Sequence, residues 1–95
     1  MAERVYGGAD DVIELLSRRG AVQVVEALLG GSLTERAVAS RLSAYSASVV
    51  AQRVADLRRI GVVETVPENG DLRLSADGRR LLGVLDALER WAGRG

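Results

Sequence analysis

Cysteine, histidine and lysine are all missing from this sequence of 95 residues. Without cysteine there is no disulfide and no thiolate chemistry. Without cysteine and histidine there is no zinc site with those ligands and no histidine-based catalysis. All 13 basic residues are arginine. This bias indicates GC-rich codon usage, as in a high-GC bacterium, rather than a function.

Aromatic residues and long apolar runs are also scarce. There are three aromatic residues, Tyr6, Tyr45 and Trp91, and no phenylalanine, although 47% of the chain is hydrophobic. We therefore expect one small domain over residues 1–95 with an aliphatic core. No segment approaches the roughly 18 consecutive apolar residues of a membrane span, and the N-terminal residues lack a signal-peptide layout. The sequence predicts a cytoplasmic protein with no membrane partner.

The charges balance overall but are unevenly distributed. The formal net charge is zero. Residues 32–61 carry five arginines against Glu35 and Asp56, which gives this middle third a charge of +3, while both flanking parts are slightly acidic. Because DNA-binding domains usually present a basic face, we expect any such face to lie in the middle third.

Four helices are predicted in the first two thirds of the chain. After residues 1–8, which we expect to fray, apolar residues at helical spacing predict helices over 9–19 and 21–29. A third, short helix follows Thr34, and a fourth begins at Ser46, because threonine and serine are favoured N-caps.

The last third predicts a β-hairpin and a final helix. β-branched residues predict a first strand that Pro67 ends, and Asn69-Gly70 predicts a tight hairpin turn. The segment "DLRLS" predicts the return strand, after which Ser75 caps a helix over 76–92. Two short helices joined by a turn, followed by a two-stranded ribbon, are typical of a winged helix-turn-helix. The predicted fold class is therefore mainly α with a small β-hairpin (α+β).

The helix predicted over 46–60 has a face suited to a DNA major groove. Val50, Val54 and Leu57 form a buried stripe on a helical wheel, and small or polar residues lie opposite, near the N-terminus. Small residues let the backbone approach the bases, and Gln52 could bond both N6 and N7 of an adenine. A plain solvated helix face would look the same and stays an alternative.

Arginines near this face are candidates for base or phosphate contacts. Arg53 could reach a guanine or a phosphate, while Arg58 and Arg59 are better placed for phosphates. The wing offers Arg73 beside an acidic tip, which predicts a weak contact there. The full set of DNA-contacting candidates is Ser46, Ala47, Ser48, Gln52, Arg53, Arg58, Arg59 and Arg73.

Two segments carry a resemblance to HxlR-type winged-helix regulators. The first is "SASVVAQRVADLRRIGVVE", which fits at Ser46, Gln52, Arg53, Val54, Leu57, Gly61, Val62 and Val63. The second is "LRLSADGRRLLGVLDALERWA", which fits at Leu74, Ser75, Gly78, Leu81, Val84, Leu85, Leu88, Trp91 and Ala92. The resemblance covers roughly residues 12–92 and implies a bacterial transcription regulator that binds DNA as a homodimer. The family's frequent N-terminal cysteine is absent here, which excludes thiol sensing.

The last helix supports a dimer independently, since its apolar residues cover about half of the wheel, more than one face of a small domain needs. The resemblance implies that the first helix joins it in the interface. The candidate interface residues are Val12, Leu16, Leu81, Leu85, Leu88 and Trp91. Packing of the last helix against the first within one chain remains the alternative.

No catalytic set is present, so we predict neither an enzyme nor a cofactor. An aliphatic dimer interface could hold a small hydrophobic effector, but no polar constellation marks a pocket for one. Two functions remain. One is a sequence-specific regulator that binds double-stranded DNA as a homodimer through residues 46–60. The other is a winged-helix protein-interaction module with weak or no DNA binding, which the zero net charge and acidic wing tip favour.

Overall fold

Five helices and a two-stranded antiparallel hairpin share one aliphatic core in the computed structural model, which describes residues 9–93. The elements in chain order are α1 (Ala9–Leu16), α2 (Ala21–Ala27), α3 (Glu35–Arg41), α4 (Ala47–Arg59), β1 (Val63–Thr65), β2 (Leu72–Leu74) and α5 (Ala76–Gly93). This order is the one predicted. The predicted fraying of residues 1–8 lies outside the described residues.

The core forms where α2, α3 and α4 meet. Val24 of α2, Val38 of α3 and Leu57 of α4 are fully buried, and the predicted stripe of α4 is confirmed, since Val50 and Val54 are buried with Leu57. An all-aliphatic core of this kind holds the helices through close packing of branched side chains rather than through aromatic stacking.

α1 and α2 both end earlier than predicted, at Leu16 and Ala27 instead of 19 and 29. At both ends the backbone hydrogen bonds shorten from four residues to three. The backbone amide of Arg18 donates to the carbonyl of Leu15, and that of Leu28 donates to the carbonyl of Val25. Such bonds end an α-helix as a 3₁₀ turn.

Both predicted caps of the helix-turn-helix are present. The Thr34 hydroxyl accepts a hydrogen bond from the Ala37 amide at 3.0 Å, and the Ser46 hydroxyl accepts one from the Val49 amide at 3.1 Å. Each bond satisfies an amide that the first turn would leave unpaired. The start of α4 is thereby fixed at Ser46, as the sequence predicts.

The hairpin pairs Val63 with Leu74 and Thr65 with Leu72, but its turn is wider than predicted. A tight turn over Asn69-Gly70 would need positive φ at both residues. Among the described residues only glycines have it, and here that is Gly70. The amide of Val66 donates to Asp71 and that of Gly70 to Val66, so four residues, 67–70, form the turn.

The hairpin is also tied to the helix-turn-helix. Leu33, just before α3, exchanges two backbone hydrogen bonds with Leu72 of β2, at 2.9 and 2.7 Å. This isolated bridge extends the pairing of β2 by one residue pair on its other edge. The base of the wing is therefore held to the start of α3.

Candidate nucleic-acid interface

The N-terminal half of α4 presents small and polar side chains to solvent. Ala47, Ser48 and Gln52 are exposed, as the helical wheel predicts, and so are the N-cap Ser46 and, in the last turn, Arg58. Because α4 begins at a capped end and shows no bulky side chain on this face, its backbone can approach a flat or grooved surface closely.

A buried carboxylate, Asp56, lies at the side of this face. Only 1% of its surface is exposed. Two arginines of its own helix reach it, Arg53 at 2.8 Å to Oδ2 and Arg59 at 3.1 Å to Oδ1. Gln52 donates from Nε2 to Oδ1 at 3.1 Å, and Arg18, from the segment after α1, reaches Oδ2 at 3.4 Å. We name these five residues the Asp56 cluster.

Arg53 is the most enclosed arginine of the Asp56 cluster. Its side chain is 15% exposed, against 46% for that of Arg59. Its Cγ lies near Gly20, at the junction of α1 and α2, where an added Cβ would meet it at 3.5 Å. Its Nε is buried without a hydrogen-bond partner. In this conformation the guanidinium serves Asp56, and the predicted contact of Arg53 with DNA stays a prediction.

Sequence reasoning missed the Asp56 cluster, although a signal for it is present. Arg53, Asp56 and Arg59 follow one another at three-residue spacing, which places them as neighbours along one side of a helix. Arg18 comes from 38 residues earlier in the chain, and no local pattern predicts such a contact.

The wing presents little positive charge that could bind a DNA phosphate. Arg73, predicted as its DNA contact, donates from Nε to the Glu64 carboxylate across the strand pair at 2.7 Å. Glu68, in the turn at the tip, is exposed. The wing therefore presents a paired arginine and an acidic tip.

The residues predicted for a dimer interface lie on α1 and α5 and differ in exposure. Leu88 and Trp91 are exposed, while Val12, Leu16, Leu81 and Leu85 are partly buried. Two further large hydrophobic residues of the same helices, Ile13 and Val84, are also exposed. Within α5 the only fully buried residue is Gly78, and the helix reaches the core through the partly buried Leu81 and Leu82.

A cavity of about 270 Å³ lies between α1 and α5. Its lining is mostly aliphatic and includes the ion-paired Asp77 and Arg80. The lining residues are Val12, Ile60, Val62, Asp77, Arg80, Leu81 and Val84. Across residues 9–93, no group of acidic residues is arranged to hold a metal ion, and no helix is long and apolar enough to cross a membrane.

Comparison with solved structures identifies the fold. Quinone-bound YodB from B. subtilis has a TM-score of 0.82 at 20% identity, over 90% of this chain and 96% of that chain. The reduced form of the transcriptional regulator YodB has a TM-score of 0.77 at 22% identity, over 87% and 86% of the two chains. A MarR-family transcriptional regulator from Enterococcus faecalis V583 has a TM-score of 0.73 at 18% identity, over 98% and 93%.

These likenesses, together with the observed elements, confirm the predicted winged helix-turn-helix. No protein-family model matches the chain, and none of the curated proteins matches it. The resemblance to HxlR-type regulators therefore stays a prediction.

Proposed function

We propose that this chain is a DNA-binding transcription regulator that acts as a homodimer, with α4 in the major groove. The observation that carries the proposal is the exposed N-terminal half of α4, which is capped, free of bulky side chains and marked by Gln52. A winged helix-turn-helix reads bases with this part of its second helix. The structural neighbours YodB and the MarR-family protein, both transcriptional regulators, support the same function.

The proposed contacts divide by type. Ser48 and Gln52 would meet base edges, Ala47 would allow close approach, and Ser46 and Arg58 would meet phosphates at the two ends of α4. The remaining candidates contribute differently. We assign Arg53 and Arg59 first to Asp56, with the outer part of Arg59 available to phosphate, and expect little from Arg73 because Glu64 neutralises it.

The dimer would form through the exposed apolar residues of α5 and α1. Val84, Leu88 and Trp91 recur at spacings of four and three residues, which places them in one stripe. A symmetric dimer buries such a stripe against its own copy and places two α4 helices on successive half-sites. The cavity between α1 and α5 adjoins this surface through Val84 and would give an apolar effector a place to bind.

A second function is favoured by one observation, the charge of the wing. The acidic tip would repel the phosphate backbone, and Arg73, which is already paired with Glu64, would attract it only weakly. A winged helix that binds a protein partner with little DNA affinity has no need of a basic wing. Fold alone does not decide between the two functions.

Salt-dependent DNA binding separates them. We would measure fluorescence anisotropy of the chain on duplex DNA from upstream of its own gene and on a scrambled duplex, at two salt concentrations. A regulator binds the upstream duplex more tightly, and its affinity falls steeply with salt, because bound phosphates release counterions. Absence of binding to either duplex at low salt would instead support the protein-interaction module.

A further inference from the structure

We propose that Asp56 is a positioning residue for sequence reading, and that Arg18 makes this positioning depend on α1. Asp56 would hold the Gln52 amide in the one orientation that can read adenine. The inference rests on the proposed function, because it concerns how α4 presents a base-reading side chain. Asp56 itself is buried and would touch no base.

The contact between Gln52 and Asp56 fixes which end of the amide faces the protein. A carboxylate can only accept hydrogen bonds. The neighbouring amide must therefore turn its nitrogen inwards, and Nε2 lies 3.1 Å from Oδ1 of Asp56. The alternative orientation would place the amide oxygen against the carboxylate, where two acceptors repel each other.

This orientation leaves the reading edge of the amide free. A primary amide has two N–H groups, and one of them points the same way as its carbonyl oxygen. Recognition of adenine uses that N–H and the oxygen, which meet N7 and the N6 amino group. The other N–H points away and is the one available to Asp56. Gln52 can therefore keep its bond to Asp56 while it reads an adenine.

Asp56 is itself held firmly enough to serve as a reference point. Arg53 and Arg59 bind different oxygens of its carboxylate, at 2.8 and 3.1 Å. Both oxygens are thereby engaged and the side chain cannot turn without losing an ion pair. A side chain locked in this way lowers the entropy that Gln52 must lose when it binds a base.

Arg18 connects this arrangement to the rest of the domain. Its guanidinium reaches Oδ2 of Asp56 at 3.4 Å and Glu14 of α1 at 3.5 Å. Arg18 follows directly on α1, whose exposed face is part of the proposed dimer surface. A shift of α1 would move Arg18, which is one of the cations paired with Asp56. The Asp56 carboxylate, to which Gln52 donates, would then shift as well.

Selection from random DNA tests the inference without a known operator. The wild-type chain and its variants would each select duplexes from a random DNA pool, which is then sequenced to give the base preference at every position. Gln52→Ala identifies the position that Gln52 reads. Asp56→Asn keeps the shape of the side chain but can either accept or donate, so it no longer fixes the amide. Arg18→Ala tests the link to α1, with Arg19→Ala as its matched control, because the neighbouring Arg19 lies over the Tyr45 ring and outside the Asp56 cluster.

We expect Asp56→Asn to reduce the adenine preference at the Gln52 position by about tenfold, and to leave the other positions unchanged. Arg18→Ala should reduce it several-fold at the same position, and Arg19→Ala should not. The Gln52 side-chain amide resonances of the free protein should also move in Asp56→Asn, a response that a purely structural role of Asp56 at other contacts would not give.

An unchanged adenine preference in Asp56→Asn would overturn the inference. So would an equal loss at every position, because Asp56 would then only hold the fold. Should Asp56→Asn not fold, the comparison of Arg18→Ala with Arg19→Ala decides, and equal preferences in the two would refute the link to α1. If the wild-type chain itself enriches no sequence, the proposed function has failed, and this is seen before any variant is compared.

Discussion

Gly78 of α5 lies directly against the carbonyl oxygen of Val62, so closely that a Cβ on Gly78 would collide with it. The same carbonyl accepts the amide of Ser75, whose hydroxyl bonds the carbonyl of Gly61 at 2.6 Å and accepts the amide of Gly78 at 3.0 Å. The start of α5 is therefore joined to the strand entry by backbone contacts that leave no room for a side chain.

We expect Gly78→Ala to destabilise the protein by about 1–3 kcal/mol, because backbone atoms must move to admit the methyl group. Gly83→Ala is the matched control in the same helix, since nothing lies within 4 Å of its added Cβ. At position 83 the better helix propensity of alanine should raise the free energy of unfolding by at most about 1 kcal/mol. Urea unfolding of the two variants measures both, and equal stabilities would contradict the close approach.

The Asp56 cluster predicts unequal roles for its arginines in stability. Arg53→Met removes the most enclosed partner of a buried carboxylate and should cost about 2–3 kcal/mol, because the other partners compensate only in part. Arg59→Met removes a partner that is 46% exposed and should cost less than about 1 kcal/mol. Thermal unfolding measures the loss of stability in each variant. A larger loss in Arg59→Met than in Arg53→Met would contradict the prediction.

Arg58 predicts a contribution to affinity without sequence preference. Arg58→Ala should weaken binding to all duplexes alike and lower the slope of log affinity against log salt by about 1, as loss of one phosphate contact does. Arg80→Ala, on α5 and paired with Asp77, should change neither. Anisotropy titrations at several salt concentrations measure both. A loss confined to one DNA sequence would mean that Arg58 reads a base.

The apolar stripe of α5 predicts the oligomeric state. Leu88→Glu should raise the dimer dissociation constant at least about 100-fold, because each of two symmetric leucines loses its burial. Ala55→Glu is the control, since Ala55 is an exposed apolar residue of α4, outside the proposed interface. Sedimentation over a concentration series distinguishes them. A monomeric wild-type chain, or equal effects of both variants, would refute this interface.

Local patterns predicted most of the fold. The buried stripe of α4 and the caps at Thr34 and Ser46 depend on residues within a few positions of one another, and the structure contains all of them. The order of elements followed from the same signals. The bridge between Leu33 and Leu72 did not, because a single residue pair 39 positions apart leaves no periodic trace.

The candidate site was predicted less completely. The helical wheel gave the direction of Gln52 correctly, since it is exposed. A wheel does not name partners, however, and so it missed that Asp56 engages Gln52 and Arg53. The turn at the wing tip was predicted too tight because the prediction used only the local residue pair. The pair Asn69-Gly70 favours a two-residue turn, but the observed strand pairing leaves a wider loop to close.

The attachment of α5 at Gly78 has a consequence for DNA spacing. From Gly78 to Gly93 the helix extends about 22 Å at about 1.5 Å per residue, and beyond Gly78 none of its residues is fully buried. A tilt of about 10° at this pivot would displace the far end by about 4 Å over such a length. In a dimer joined through the far half of α5, the same tilt would alter the separation of the two α4 helices, which must match the roughly 34 Å repeat of the major groove. The angle of α5 relative to Val62 would thereby determine whether the α4 helices of both protomers fit the same face of the duplex.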